Sequence, residues 1–469
     1  MESTENTNDI VTENQCQKML NLLKDLNLFH SEDGTCFVEI KVQGAFQNWP
    51  IKNEKVFGVI QELYYDKFKT LPDEKNIKKV QQNLAFRSQK NPKEKVYYRV
   101  AAFENKIYID LANSRNTFIQ IDKNGWSEVY TVPIKFYKSN SMKPMCIPKQ
   151  GGSILNLKKF ININSEQDFI LFLSYIVGSL FPSKQYPLLI LQGPQGSGKS
   201  TASDILKEII DPSIPTLRTF PKKEEDIFIG AKYSHLMCFD NLSGINASMS
   251  DTLCKISTGC GIAGRKYYTN DEEYFIEVTR PIVINGIDEL TSRPDLADRS
   301  IVLYLEKLTE ADRKSSSQMT ELFMSDLPYI FGCLCDALST VIQKRSEVHL
   351  NRKPRMVDFC ITTCAGLQAF GYSVNEVLSA FMTNKAEIAN EALEYSFVGS
   401  AVKRFMENKS FWQGSASELL AILNSDLTFS SFQHYPKSPN QISRELNRVD
   451  RFHPKCTALF HQSVPVNFM

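Results

Sequence analysis

The chain has 469 residues, of which 42% are hydrophobic and 23% charged, and its formal net charge is +1. That length suits two to four domains with cores of their own, and the composition is ordinary for a globular protein. Near-neutral charge excludes a uniformly basic nucleic-acid-coating surface, so any basic surface must be a local patch.

Residues 1–16, opening "MESTENTNDIVTENQ", are polar, without a basic n-region or an apolar h-region, and are expected to form a disordered tail. From 17 to 150 the pattern predicts an α+β N-terminal domain. "QKMLNLLKDLNLF" has helical periodicity, "TCFVEIKV" predicts a strand, and 54–88 predict two amphipathic helices with Lys-rich faces. "KVYYRVAAFENKIYIDL" and "TFIQIDKNGWSEV" predict β-hairpins turning at Glu-Asn and Lys-Asn-Gly. No catalytic motif surrounds Arg99, Asp110 or Trp126, which are therefore assigned to the fold. "KPMCIPKQGG" (143–152) is a linker. The run "FILFLSYIVGSLF" (169–181) has 13 residues, short for a bilayer and suited to a buried helix. The eleven cysteines have no zinc-ribbon spacing and no accompanying His, which argues against structural zinc, and their odd count without a secretion signal points to reduced thiols in a cytoplasm.

Between 153 and 305 strands and helices alternate, as in a parallel α/β sheet. "LLILQGPQGSGKST" sets an apolar strand before Gly193, Pro194, Gln195, Gly196, Ser197, Gly198, Lys199, Ser200 and Thr201, with a helix to Ile210 following. This is a P-loop in its required context. Glycines let backbone N–H groups wrap the phosphates of ATP, Lys199 reaches the outer phosphates, and the Ser200 hydroxyl takes Mg2+. "HLMCFDN" predicts a second strand ending at Asp240, a magnesium ligand through water. The next residue, Asn241, stands where most ATPases have a Glu; it can orient water but cannot take its proton, which slows the chemistry without forbidding it. Asp226, Glu224 and Glu225 are alternative sources of a base. "RPIVING" ends a third strand at Asn285, able to hydrogen-bond the γ-phosphate or orient the attacking water. "RPDLADRSIVLYLE" places Arg293 and Arg299 before a further strand. Arg299 is the candidate for stabilising transition-state charge on a neighbouring subunit's ATP, and otherwise pairs with Asp295 or Asp298.

These residues, taken in order, resemble an AAA+ module of the superfamily 3, poxvirus-type helicase kind. Lys255, Thr258, Gly259 and Arg265 lie where such helicases lead into a hairpin. The ordered set "DLANSRNTFIQIDKNGW", "GPQGSGKST", "FDNLSG", "SDTLCKISTGCGIAGRKYYTNDEE", "RPIVING", "DLADR" and "GSASELL…YPKSPNQISRELNRV" is similar to the bacterial ATP-binding proteins of phage, plasmid and island replication modules, over roughly residues 95 to 460. The resemblance implies a P-loop AAA+ core (153–305), a helical lid or connector (306–400), ATP and Mg2+ as cofactors, a hexameric homo-oligomeric ring, DNA as a partner with a primase or origin-binding protein beside it, and no membrane. The hairpin tip "TNDEE" is acidic and repels phosphate, which leaves Arg265 and Lys266 as the hairpin's DNA candidates.

Residues 401–469 predict a winged helix: "SASELLAIL", then "SPNQISRELNRV", then a β-rich end. Ile442, Leu446 and Val449 share one helical face and Arg444 and Arg448 the other, with Arg451 and Lys455 beyond. This segment holds eight Lys/Arg against five Asp/Glu, a local excess that fits a duplex. Two functions follow from different classes. One is a DNA-dependent ATPase acting as a helicase or helicase-like replication factor of a mobile element. The other is an ATP-switched factor that assembles on DNA or a primase and unwinds nothing. A small-molecule P-loop kinase has no use for the C-terminal module.

Overall fold

In the computed structural model, residues 13–265, 273–286, 294–309, 315–406, 412–425 and 438–443 are described, apart from Gln43, Ser243 and Ser396. The Asn14 side chain caps α1 (Gln15–Leu22) by accepting from Gln17 N–H. Strands β1 (Leu28–His30), β2 (Cys36–Val42) and β3 (Ala45–Pro50) form an antiparallel sheet in that order. Against it pack α1, α2 (Glu54–Phe68) and α3 (Glu74–Ser88), enclosing Met19, Val38, Ile60 and Leu84. The short strands β4 (Val96–Tyr97) and β9 (Lys135–Phe136) pair in parallel. Between them β5 (Val100–Phe103), β6 (Lys106–Asp110), β7 (Phe118–Asp122) and β8 (Gly125–Val129) make an antiparallel meander. Its first turn has φ of 49° at Glu104 and 59° at Asn105, the doubly left-handed turn that matches strand twist.

The second unit is a parallel sheet. Strands β10 (Leu188–Gln192), β11 (Met237–Leu242), β14 (Ile282–Gly286) and β15 (Ser300–Tyr304) lie in the order β11-β14-β10-β15. All five residues of β10 and of β14 are buried, and the strands are apolar without alternation up to Gln192 and Asn285. Helices α5 (Lys199–Ile210), α6 (Glu224–Lys232), α7 (Ala247–Thr258) and α8 (Pro294–Ala297) connect them, and β12 (Gly261–Arg265) pairs with β13 (Glu273–Glu277) as a hairpin. Each edge strand of the sheet is met at one point from outside it. The Arg218 backbone donates to Cys238 O and accepts from Asp240 N–H along β11. On β15 the Asn384 amide bonds both the N–H and the C=O of Val302, pairing the exposed edge with a side chain.

Helix α4 (Glu166–Leu180) is buried at every position from Phe169 to Leu180, as its all-round apolarity requires. It packs on α9 (Ser316–Lys344), α10 (Val357–Gly366) and α11 (Val374–Tyr395). Helix α9 is long and apolar enough to cross a membrane, but more than half of its most apolar window is buried in this core. The linker at 143–152 lies along α9: a Cβ on Gly332 would stand 1.9 Å from Lys149 O. A buried contact through Arg99 and an exposed one through Trp126 are among those that bind the N-terminal unit to the rest. Arg99 donates to Asp211 Oδ1 at 3.0 Å and to the carbonyls of Asp110, Lys143 and Pro212, and Trp126 Nε1 donates to Asp336 Oδ1 at 2.9 Å. Helices α12 (Phe397–Met406) and α13 (Ala416–Ser425) follow. Ser415 and Glu418 form a reciprocal cap on α13, and Ile442 is buried with Leu419 and Leu423. The expected recognition residues Arg444, Arg448, Arg451 and Lys455 lie outside the described residues.

Candidate functional site

The candidate site lies where β10 runs into α5, at the C-terminal edge of the parallel sheet, the usual place for ligands in such sheets. Gly193, Gly196 and Gly198 have φ of 145°, 79° and 86°, values that an L side chain rarely adopts. At Gly193 the need is also spatial, since a Cβ would stand 2.2 Å from Leu305 O. The loop wraps the start of α5, whose first N–H groups have no partner within the helix and whose dipole favours an anion there. Lys199 Nζ lies inside the loop, donating to Gly193 O at 2.7 Å, Pro194 O at 2.8 Å and Ser197 Oγ at 3.3 Å. Burial pulls its pKa down and Asp240 pulls it back up. Gln195, Ser200 and Thr201 are exposed at the mouth.

Ser200 Oγ donates to Asp240 Oδ1 at 2.9 Å. The first turn of α5 and the tip of β11 therefore present a hydroxyl and a carboxylate side by side, the hard oxygen pair that suits Mg2+ held otherwise by phosphates and water. Such a site needs no cluster of three protein ligands, and the described residues contain none. Asn285 is buried at the end of β14. Its Oδ1 accepts from Asn241 N–H at 2.8 Å and its Nδ2 donates to Ser203 Oγ at 2.9 Å. One amide thus ties the tip of β11 to α5. Asn241 has φ of 56° and stands at a register shift between Phe239 and Leu242. Asn tolerates this left-handed conformation better than most residues, so Asn241 enters the site through its backbone.

Sequence reasoning missed three contributors. Asp204, one turn beyond Ser200, has its carboxyl pKa raised by burial and by the charges of Asp240 and Glu208; spacing along α5 is the signal that could have found it. Ser203 is the partner of Asn285. Asn162, which no motif marks, donates to Ser197 O at 3.0 Å and Glu306 O at 2.7 Å, bracing the glycine loop from outside. Of the alternative bases, Glu224 is engaged with Lys255 at 2.7 Å, while Glu225 and Asp226 stand with it in the first turn of α6.

Arg299 is not brought to this chain's own loop. It precedes β15, and Ser300 registers with Leu188 at the start of β10, a strand length of about 16 Å from Gly193. Its Nη1 lies 3.3 Å from Asp295 Oδ2, the pairing the sequence offered as its alternative role. Asp298 bonds instead to Arg355 and Lys385. Arg265 ends β12; Lys266, Arg293 and the tip residues 269–272 lie outside the described residues.

Residues 153–390 match the family described as "Actinomycete integrative conjugative element replication protein", and 398–452 match its "AICE RepA C-terminal domain". No curated protein matches the chain. Three solved structures of the NrS-1 C terminal region are similar to it. Two are of the A form apo structure, one at 11% identity and TM-score 0.39 over 94% of each chain, the other at 12% and 0.41 over 95% of this chain and 93% of that one. The third, an apo structure, is at 12% and 0.36 over 85% and 83%.

Proposed function

The chain belongs to the family of actinomycete integrative conjugative element replication proteins, and on that premise we propose that it is an ATP-driven replication factor with a P-loop AAA+ core of the superfamily 3 helicase kind. The observation that carries the reading is the 2.9 Å contact between Ser200 and Asp240 beside the glycine loop. In this reading Gly193–Thr201 hold the phosphates through backbone N–H groups, and Lys199 leaves the loop carbonyls for the outer phosphate oxygens. Ser200 and Asp240 hold Mg2+, which when bound neutralises charge on those oxygens. Asn285 holds the tip of β11, and with it Asp240, at a fixed distance from α5. Arg299, before the edge strand β15 and paired with Asp295 in the single chain, is the residue that a neighbouring copy in a ring receives. DNA is engaged through the C-terminal module, with Arg444 and Arg448 as its first candidates.

The test is Lys199→Ala, measured by ATP turnover and nucleotide binding with and without DNA. Hydrolysis is expected to vanish and binding to fall with it, because no other side chain of the loop brings positive charge. Undiminished turnover would place the reaction elsewhere. A second reading, an ATP-switched assembly factor without unwinding, is favoured by Asn241, which leaves no carboxylate after Asp240. A forked-DNA unwinding assay separates the two: ATP-dependent strand separation excludes the switch.

A further inference from the structure

The solvent face of α3 and the segment after it form the most basic stretch of the described chain. Residues 74–95 carry seven Lys/Arg against Glu74 and Glu94, a net +5 in a chain that totals +1. Helical geometry sorts this segment cleanly. Ile77, Val80, Gln81, Leu84 and Ser88 are buried against the N-terminal sheet, and at 100° per residue Lys75, Lys79 and Phe86 fall on the opposite side. Lys90 continues their line past the helix end, giving a stripe about 22 Å long. Phe86 stands in it 60% exposed, with Lys90 Nζ 4.6 Å from its ring centre.

Helix stability does not explain the arrangement. Lys75 is in the first turn, where the helix dipole disfavours a cation. Lys78 is neutralised by Glu74 at 3.2 Å, but among the described residues Lys75, Lys79 and Lys93 make no ion pair. A large aromatic ring at the centre of a solvated face adds nothing to the core beneath it. Cations spaced along a line with an aromatic platform between them are the chemistry that holds a single strand: phosphates meet the ammonium groups and a base stacks on the ring.

We propose that the α3 face formed by Lys75, Lys79, Phe86 and Lys90 is a single-stranded DNA-binding surface on the N-terminal unit. It is separate from the ATP site and from the C-terminal module. The surface goes beyond the ATPase reading, because binding to it needs no nucleotide.

The experiment titrates full-length protein, without ATP, into fluorescein-labelled oligo(dT) and a labelled duplex over a range of salt concentrations. For Lys75→Ala/Lys79→Ala/Lys90→Ala the single-strand salt slope should flatten by roughly 2, about 0.7 per lost phosphate contact. For Phe86→Ala affinity for oligo(dT) should fall about 5- to 100-fold with the slope unchanged. All four side chains are exposed, so melting temperature and basal ATPase should stay at wild-type values, which distinguishes a failure here from a failure of the ATPase reading. Unchanged affinity and slope in the triple variant would overturn the proposal, as would absence of oligo(dT) binding by the wild-type chain. A loss from the lysine variant with none from Phe86→Ala would overturn the single-strand assignment, since duplex or an acidic protein needs only the charge.

Discussion

Asn241 offers the sharpest test of how the candidate site works. Its φ of 56° and its N–H bond to Asn285 assign it a backbone role, whereas a water-orienting role would lie in its amide. Substituting Gly keeps the N–H and removes the left-handed strain. Substituting Glu introduces the general base that most such enzymes have, but in a conformation costing roughly 1–2 kcal/mol for an ordinary residue. On the backbone reading, Asn241→Gly should keep ATP turnover within a few-fold of wild type and melt at or above the wild-type temperature. Asn241→Glu should lose about 1 kcal/mol of stability, an expectation at odds with a simple gain in rate. Steady-state phosphate release, nucleotide affinity by fluorescence titration and thermal melting together separate the cases. A fall of about 10²-fold in the Gly variant, with nucleotide affinity intact, would refute the reasoning and return the amide to the chemistry.

Mixing Arg299→Ala with Asp240→Ala subunits should restore activity above the sum of the two alone, since each supplies what the other lacks at one interface; confirmed mixed assembly without restoration would leave Arg299 as the partner of Asp295 only. Asp204→Asn should lower turnover by about 10²-fold or more if that carboxylate is the base, and Asp226→Asn should then have little effect; the reverse result in single-turnover assays would exchange their roles. Burial and the nearby Arg280 hold the His235 pKa down to about 4 from 6.5, against the opposing pull of Asp211. The neutral ring is therefore the folded form, and its contribution is intact above pH 6.5. Stability should fall by about 3 kcal/mol as pH drops from 6.5 to 4, and His235→Gln should flatten that part of the curve in urea melts at stepped pH.

The glycine loop, Asp240 and Asn285 were legible because each is fixed by local pattern: an apolar strand, a polar tip, a glycine where the backbone turns. The hairpin at Glu104-Asn105 was legible for the same reason. What the sequence could not show was the use of each tip. Asn241 looks in sequence like a substituted catalytic position, and only the register shift in β11 reveals a backbone requirement. Asn384 in α11 looks like an unremarkable helical amide, although it pairs with the open edge of β15 from 82 residues away. Asn162 supports the loop by way of two carbonyls, and carbonyls carry no residue identity. Side chains that bond to backbone leave no complementary partner to find in a sequence.

The same limit explains why the N-terminal unit looked self-contained. Arg99 is fully buried and left-handed, with φ of 65°, and its carboxylate partner is 112 residues away at the end of α5. Asp211 also accepts from Lys207, Ser234 and the N–H groups of His235 and Leu236, so every buried charge in the group is met. Burial alone would raise the Asp211 carboxyl; Lys207 and Arg99 outweigh it and hold the pKa well below the usual carboxylate range. Losing one partner of such a group costs about 3–5 kcal/mol because the others stay buried and unpaired. Helix α5 thus starts at the glycine loop and ends at the residue on which Arg99 seats the N-terminal unit. The N-terminal unit is held to the glycine-loop helix itself, by a residue that in sequence only ended that helix.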